Sequence, residues 1–311
     1  MRASNLLARA HKVIADPRMR WALNPELWVE LFATANLAVL AVDIFIAHSM
    51  NQFHRPAEYI PLYFSIAAPP VLAAILVLRL RWGVRAPWLD VGALVGGLAV
   101  LVGLAGVLFH LESSFFLDRT LKSLTYSAPF VAPLAYAGLG FLLLVNRMVD
   151  TRGKEWAQWI VLLAVGGFFG NFILSLTDHA GNGFFLKTEW IPVISSAFAT
   201  SFLFMPLCMK VTRRYLDLCL VVLFGQSLVG VLGFWFHLQA NLLEPGRSLF
   251  GKLVNGAPPL APLLFPNLAG LAFIGLWALV PHVEESSSGS SWLGTAYRWA
   301  HPEDAALPTA P

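Results

Sequence analysis

Apolar stretches of about twenty residues alternate with short polar linkers along this chain, at 28–50, 60–79, 89–111, 125–146, 157–177, 190–209, 215–238 and 259–281. A helix needs about 20 mainly apolar residues to cross the hydrocarbon core of a bilayer. The pattern therefore predicts an all-α integral membrane protein with eight transmembrane helices. Composition agrees: 57% of residues are hydrophobic and 13% charged. Soluble domains carry about 25% charged residues, so this chain could not cover itself with polar surface in water.

The linkers alternate in character. RLRWGVRAP, NRMVDTRGKEW and KVTRRY are short and basic, whereas the intervening linkers are longer and rich in His, Asn, Glu and Gly. The side that holds the N-terminus collects fifteen Lys and Arg: five before the first span, three in each of three linkers and one in the tail. The other side holds six. Basic residues close to spans favour the cytoplasm. Both termini are thus expected in the cytoplasm, with the polar loops on the periplasmic side of an inner (cell) membrane. Residues 1–27 are basic and broken by Pro17, and they lack a continuous apolar core and cleavage site. They are expected as an amphipathic segment on the cytoplasmic surface. Residues 282–311 are expected as a flexible cytoplasmic tail, apart from a short helix near Trp292 to Trp299.

The polar loops repeat. HSMNQFHRPAEYIP starts at His48 and HAGNGFFLKTEWIP at His179. His48/His179, Asn51/Asn182, Glu58/Glu189, Ile60/Ile191 and Pro61/Pro192 share one offset, 131. Gly-x2-Phe-His-Leu recurs around His110 and His237, 127 positions apart, and each copy is followed by Ala-Pro-x2-Ala-Pro-Leu. The chain reads as a tandem duplication of a four-helix unit, 28–146 and 157–281. An even number of spans per unit makes the units parallel, related by a pseudo-twofold axis along the membrane normal.

Four histidines thus end outward-running helices at one depth, with His54 nearby. Histidine is the commonest metal ligand and can hold haem iron. His110 and His237 are the candidate cofactor residues. The small glycine one turn before each histidine leaves room beneath the ring for a partner helix or a flat cofactor. His48, His179, Glu58 and Glu189 form a candidate metal or proton site. Asn51, Asn182, Glu112, Gln239 and Asp43 are candidate supporting residues. A pseudo-twofold packing would set His110 against His237 and His48 against His179. Each motif also has a plainer reading. Glu58 and Glu189 suit the positive start of the helices opened by Pro61 and Pro192, the Ala-Pro pairs suit bent helix entries, and an interfacial histidine suits the headgroup region. Asp43 stands out as an acid inside a span, and its counterpart is Leu174. Asn171 and the glycines at 166, 167 and 170 make the fifth span small and polar, fit for close helix contact.

No C-x2-C, H-E-x2-H or C-x2-C-H run is present. Cys208 and Cys219 are too few for a disulfide framework, and a net charge of +3 does not point to nucleic acid. Three classes fit. The first is a membrane subunit of an outward-facing electron-transfer system holding haem b, copper or a quinol at the histidine layer, served by a periplasmic redox protein or by other membrane subunits. The second is a non-catalytic anchor or assembly subunit for a periplasmic partner. The third is a small-solute transporter or channel, which the nearly charge-free midplane disfavours. Enzymatic activity of the chain by itself stays open.

Overall fold

The computed structural model describes residues 24–82, 88–285 and 290–301. The amphipathic segment expected over residues 1–27 falls almost wholly outside them. Among the described residues, seven helices are long and apolar enough to cross a membrane, consistent with a multi-pass helical membrane protein. In the first half these are α1 (Pro25–Ser49), α2 (Tyr59–Trp82) and α3 (Trp88–Glu112). The short helices α4 (Phe115–Asp118) and α5 (Leu121–Thr125) follow, then α6 (Leu134–Met148). The second half contains α7 (Lys154–Gly181), α8 (Trp190–Cys208), α9 (Arg213–Leu243), the short α10 (Leu249–Asn255) and α11 (Leu264–Leu279). The tail helix α12 is Trp292–Ala300.

The span expected at 125–146 begins later than its hydropathy suggests. Pro129 and Pro133 remove two backbone donors, and the segment enters α6 through turns such as Ala132 N–H to Pro129 O and Tyr136 N–H to Pro133 O. The 15 residues of α6 rise about 22 Å, less than the hydrocarbon thickness. Among the described residues it is the one shorter apolar helix beside the seven long ones, of which α11 is lengthened to Ala261–His282 by a 3-10 turn at each end.

Within the first half, α1 packs on α2 and α6, and α3 packs on α2 and α6. Within the second, α7 packs on α8 and α11, and α9 packs on α8 and α11. The halves are joined chiefly by α6 on α7 and α11 on α1, and also by the short helices α5 on α7 and α10 on α1. The large side chains with the least exposure come chiefly from α1, α6, α7 and α11: Leu37, Leu142, Leu143, Trp156, Ile160, Phe168 and Leu276. Lipid is as apolar as leucine, so such a centre is held by close packing and by polar contacts between helices. Gly96 and Gly140 let α3 and α6 touch backbone to backbone, since a Cβ on Gly140 would lie 2.4 Å from Gly96 O. In the fifth expected span, Gly167 makes room for Leu268 of α11, while Asn171 is buried with its amide nitrogen unpaired.

At the end of the bundle remote from the histidines lies a buried ion pair. Arg147 Nη1 is 2.9 Å from Glu30 Oε1, Arg147 Nη2 donates to Glu30 Oε2 at 3.0 Å, and Asn146 donates to Glu30 Oε1 at 2.9 Å. Glu30 sits inside the first span, so Asp43 is not the only acid there. At the same end, Asp217 accepts from the backbone N–H groups of Trp292 and Leu293 and from Ser291. These bonds fasten the N-terminus of α12 to α9.

Candidate functional site

Two clusters form at the other end of the bundle, one in each half. In the first, α1 ends at Ser49 and the chain turns back through Gln52 (φ 58°) and Phe53 (φ 51°). The second uses Gly183 (φ 76°) and Phe184 (φ 50°). Left-handed backbone is unfavourable for a side chain such as phenylalanine and persists only where its surroundings require it. Here Phe53 N–H reaches back to His48 O at 3.1 Å and Phe184 N–H to His179 O at 2.9 Å. The turn stacks Phe53 on Tyr59, centroids 4.7 Å apart, and Phe184 on Trp190 at 4.0 Å. It also brings the Glu that precedes α2 or α8 beneath its histidine. His48 Nδ1 lies 3.6 Å from Glu58 Oε2, and His179 Nδ1 lies 3.8 Å from Glu189 Oε2. Phe53 and Phe184 share the offset of 131, and this identity is the signal that would have found them.

The second motif closes the cluster. Proline has no N–H, so Pro133 leaves the carbonyl of Pro129, four residues earlier, without its helical donor, and Pro262 does the same for Pro258. His110 Nδ1 takes the first at 2.9 Å and His237 Nδ1 the second at 2.8 Å. A carbonyl only accepts, so Nδ1–H donates, and in the neutral ring Nε2 keeps its lone pair. The glycine of each motif accommodates the second proline. A Cβ on Gly106 would lie 2.7 Å from Pro133 Cβ, and one on Gly233 would lie 2.9 Å from Pro262 Cβ. The room expected there for a flat cofactor is therefore filled by the protein's own proline.

The histidines pair within each half, not across the halves. The ring centroids of His48 and His110 are 6.2 Å apart, those of His179 and His237 6.5 Å, both edge to face. Glu58 is within electrostatic reach of both rings in the first cluster. One carboxylate oxygen of each glutamate, Glu58 Oε2 and Glu189 Oε2, is buried and has no hydrogen-bond partner. Among the described residues, no group of three or more His, Cys, Asp or Glu side chains is arranged to hold a metal ion.

The supporting residues divide. Asn51 Nδ2 donates to Glu58 Oε1 at 3.0 Å, whereas Asn182 caps the end of α7 through its backbone. Glu112 pairs with Arg55 at 3.6 Å on the exposed rim, so it does not orient the His110 ring, which the Pro129 carbonyl holds instead. Gln239 and His54 are exposed. Asp43 is half-buried in α1, five residues before His48. Comparison with protein-family models, with curated proteins and with solved structures finds no match to this chain.

Proposed function

We propose that the chain is an eight-span duplicated membrane subunit of an outward-facing electron-transfer system, and that each histidine cluster is a quinol-type site. The duplication is supported by the two sets of equal offsets and by the like geometry of the two clusters. The fifteen-to-six distribution of Lys and Arg supports cytoplasmic termini and clusters at the outward face. Cysteines introduced at Ser114 and Gly246 are expected to react with an impermeant thiol reagent on spheroplasts, and one at Gly153 is not. Labelling at Gly153 alone would reverse the orientation.

The observation that carries the chemistry is the pair of orphaned carboxylate oxygens. A buried acceptor without a hydrogen bond is costly, and the neighbouring imidazole nitrogen, His48 Nδ1 or His179 Nδ1, stands 3.6 or 3.8 Å away, beyond hydrogen-bond distance. A carboxylate oxygen left in this state suits a ligand that supplies hydrogens. A hydroquinone has two hydroxyl groups, dissolves in the bilayer and has a flat ring suited to the stacked aromatic residues Phe53–Tyr59 and Phe184–Trp190. Its oxidation releases two protons, taken by carboxylate and imidazole, and two electrons, passed to a redox protein docked on the outward loops. Purified protein titrated calorimetrically with a short-chain quinol is expected to bind two molecules per chain. Absence of binding would refute this assignment.

A further inference from the structure

Each cluster forms within its own half, yet a segment of the second half reaches the first cluster. Residues 242–256 leave α9, form α10 and return to the Ala-Pro pair. Their ends are tied together at the second cluster. Asn241 Oδ1 accepts from Ala257 N–H at 2.8 Å and Asn241 Nδ2 donates to Ala257 O at 2.7 Å. The next carbonyl, Pro258 O, is the one that His237 holds. Lys252 Nζ donates to Leu242 O at 2.8 Å and fastens α10 to the end of α9. A loop of this length with its ends joined is a compact unit. At its far side α10 packs on α1, the helix that ends in His48. There the contact runs through rings. Phe250 stands 6.3 Å from Phe45, Phe45 6.3 Å from Phe53, and Phe53 5.8 Å from His48, centroid to centroid. All three separations lie within the range of favourable ring pairing.

The repeat makes α5 the counterpart of α10. Arg119/Arg247, Thr120/Ser248 and Leu121/Leu249 share an offset of 128. Thr120 and Ser248 cap the two helices alike, accepting from Ser123 N–H and Gly251 N–H, and α5 packs on α7 as α10 packs on α1. At the same offsets Phe250 corresponds to Lys122 and Phe45 to Leu176, neither of which carries a ring. The ring contact therefore belongs to the first cluster. Its stack is also the looser one, 4.7 Å and 25° between Phe53 and Tyr59 against 4.0 Å and 11° between Phe184 and Trp190. Phe53 holds an unfavourable left-handed backbone, and a smaller ring supports it than the indole of the second half. Phe45 supplies the missing support, and Phe250 backs Phe45. We propose that α10 is a strap by which the second half positions the first cluster, a proposal that rests on reading both clusters as binding sites. Phe250 braces Phe45 and Phe53, and so the turn that sets Glu58 beside His48. The strap's footing at Asn241 and His237 couples the two clusters. A ligand that shifts His237 shifts Pro258 O, the segment before it and hence the wall of the first site. Linkage makes the effect reciprocal. Phe250 touches no reacting group and is a positioning residue.

Hydrogen exchange of the full-length protein in nanodiscs reads the strap without any ligand. Phe250→Ala is expected to speed exchange over residues 49–54, where Phe53 N–H bonds His48 O, by about fivefold, the lower end of coupling between sites. Phe250→Tyr should restore the wild-type rate. Asn241→Ala, in the other half, should speed the same residues. Lys122→Ala should leave residues 180–185 unchanged. Phe250 is half exposed, so Phe250→Ala covers the case in which Asn241→Ala fails to insert. A turn indifferent to Phe250→Ala, or loosened as much by Phe250→Tyr, overturns the brace. Indifference to Asn241→Ala in protein that inserts overturns the coupling. Calorimetry with a short-chain quinol gives the second reading. In the Glu189→Gln background, where the first site titrates by itself, Phe250→Ala should weaken binding about fivefold. In the Glu58→Gln background it should leave the second site unchanged. No quinol binding by wild type, with the exchange results as expected, refutes the proposed ligand alone. Quinol binding that ignores Phe250→Ala refutes the strap alone.

Discussion

Arg147→Leu should destabilise the protein by about 3–5 kcal/mol, the usual cost of leaving one member of a buried ion pair without its partner. Both side chains are nearly inaccessible, at 4% and 6% exposure for Arg147 and Glu30. The guanidinium fork binds both carboxylate oxygens, and losing it leaves a charged Glu30 facing only Asn146. The same positions in the second half are Val161 and Leu276, and both of those side chains are fully buried. The double variant Glu30→Val with Arg147→Leu should therefore recover most of the loss, because a well-packed apolar pair replaces a buried ionic one at little net cost. Thermal unfolding in detergent, followed by tryptophan fluorescence, measures both. A single variant as stable as wild type would remove the pair from the account of how α1 is held to α6.

Glu58→Gln and Glu189→Gln should each weaken one of two quinol sites until it no longer titrates together with the other. Each change replaces an oxygen acceptor by an amide beside an imidazole N–H. A hydrogen bond to a charged group contributes about 1.5–3 kcal/mol, so the affected site should weaken roughly ten- to a hundredfold. Asn51→Ala should weaken the first site by about tenfold, since it removes the donor that holds Glu58 Oε1. Asn182→Ala should have no such effect, because Asn182 caps its helix through the backbone. The stoichiometry from calorimetry is the decisive reading. Two sites in wild type, one in either single glutamate variant and none in the double variant is the expected series.

Much of this could be read from residue order. Hydropathy located the long helices to within a few residues, and it failed at α6 because it does not register that Pro129 and Pro133 cannot donate helical hydrogen bonds. The repeat singled out the residues of the clusters, since two copies of one turn need the same histidine, phenylalanine and glutamate. How the copies pair was not legible. Nothing in the order of residues distinguishes His48 beside His110 from His48 beside His179; the fold decides it, because α1 and α3 flank α2 within one half. The purpose of Gly106 and Gly233 was equally hidden, since a glycine declares room without declaring the occupant. The role of Glu30 is likewise hidden, because it lies one turn inside an otherwise apolar stretch and its partner Arg147 stands 117 positions away.

On the proposed reading the clusters take up a hydroxyl-bearing donor and are not seats of a resident metal or haem. His110 Nε2 and His237 Nε2 each keep a lone pair that a metal could use, so the composition of the purified protein decides. The measurement is an absorption spectrum with metal analysis on the same detergent-solubilised sample that binds quinol. No haem absorption and no stoichiometric iron or copper are expected. A haem band, or one metal ion per cluster, lost on His110→Ala or His237→Ala from protein that still inserts, would contradict it.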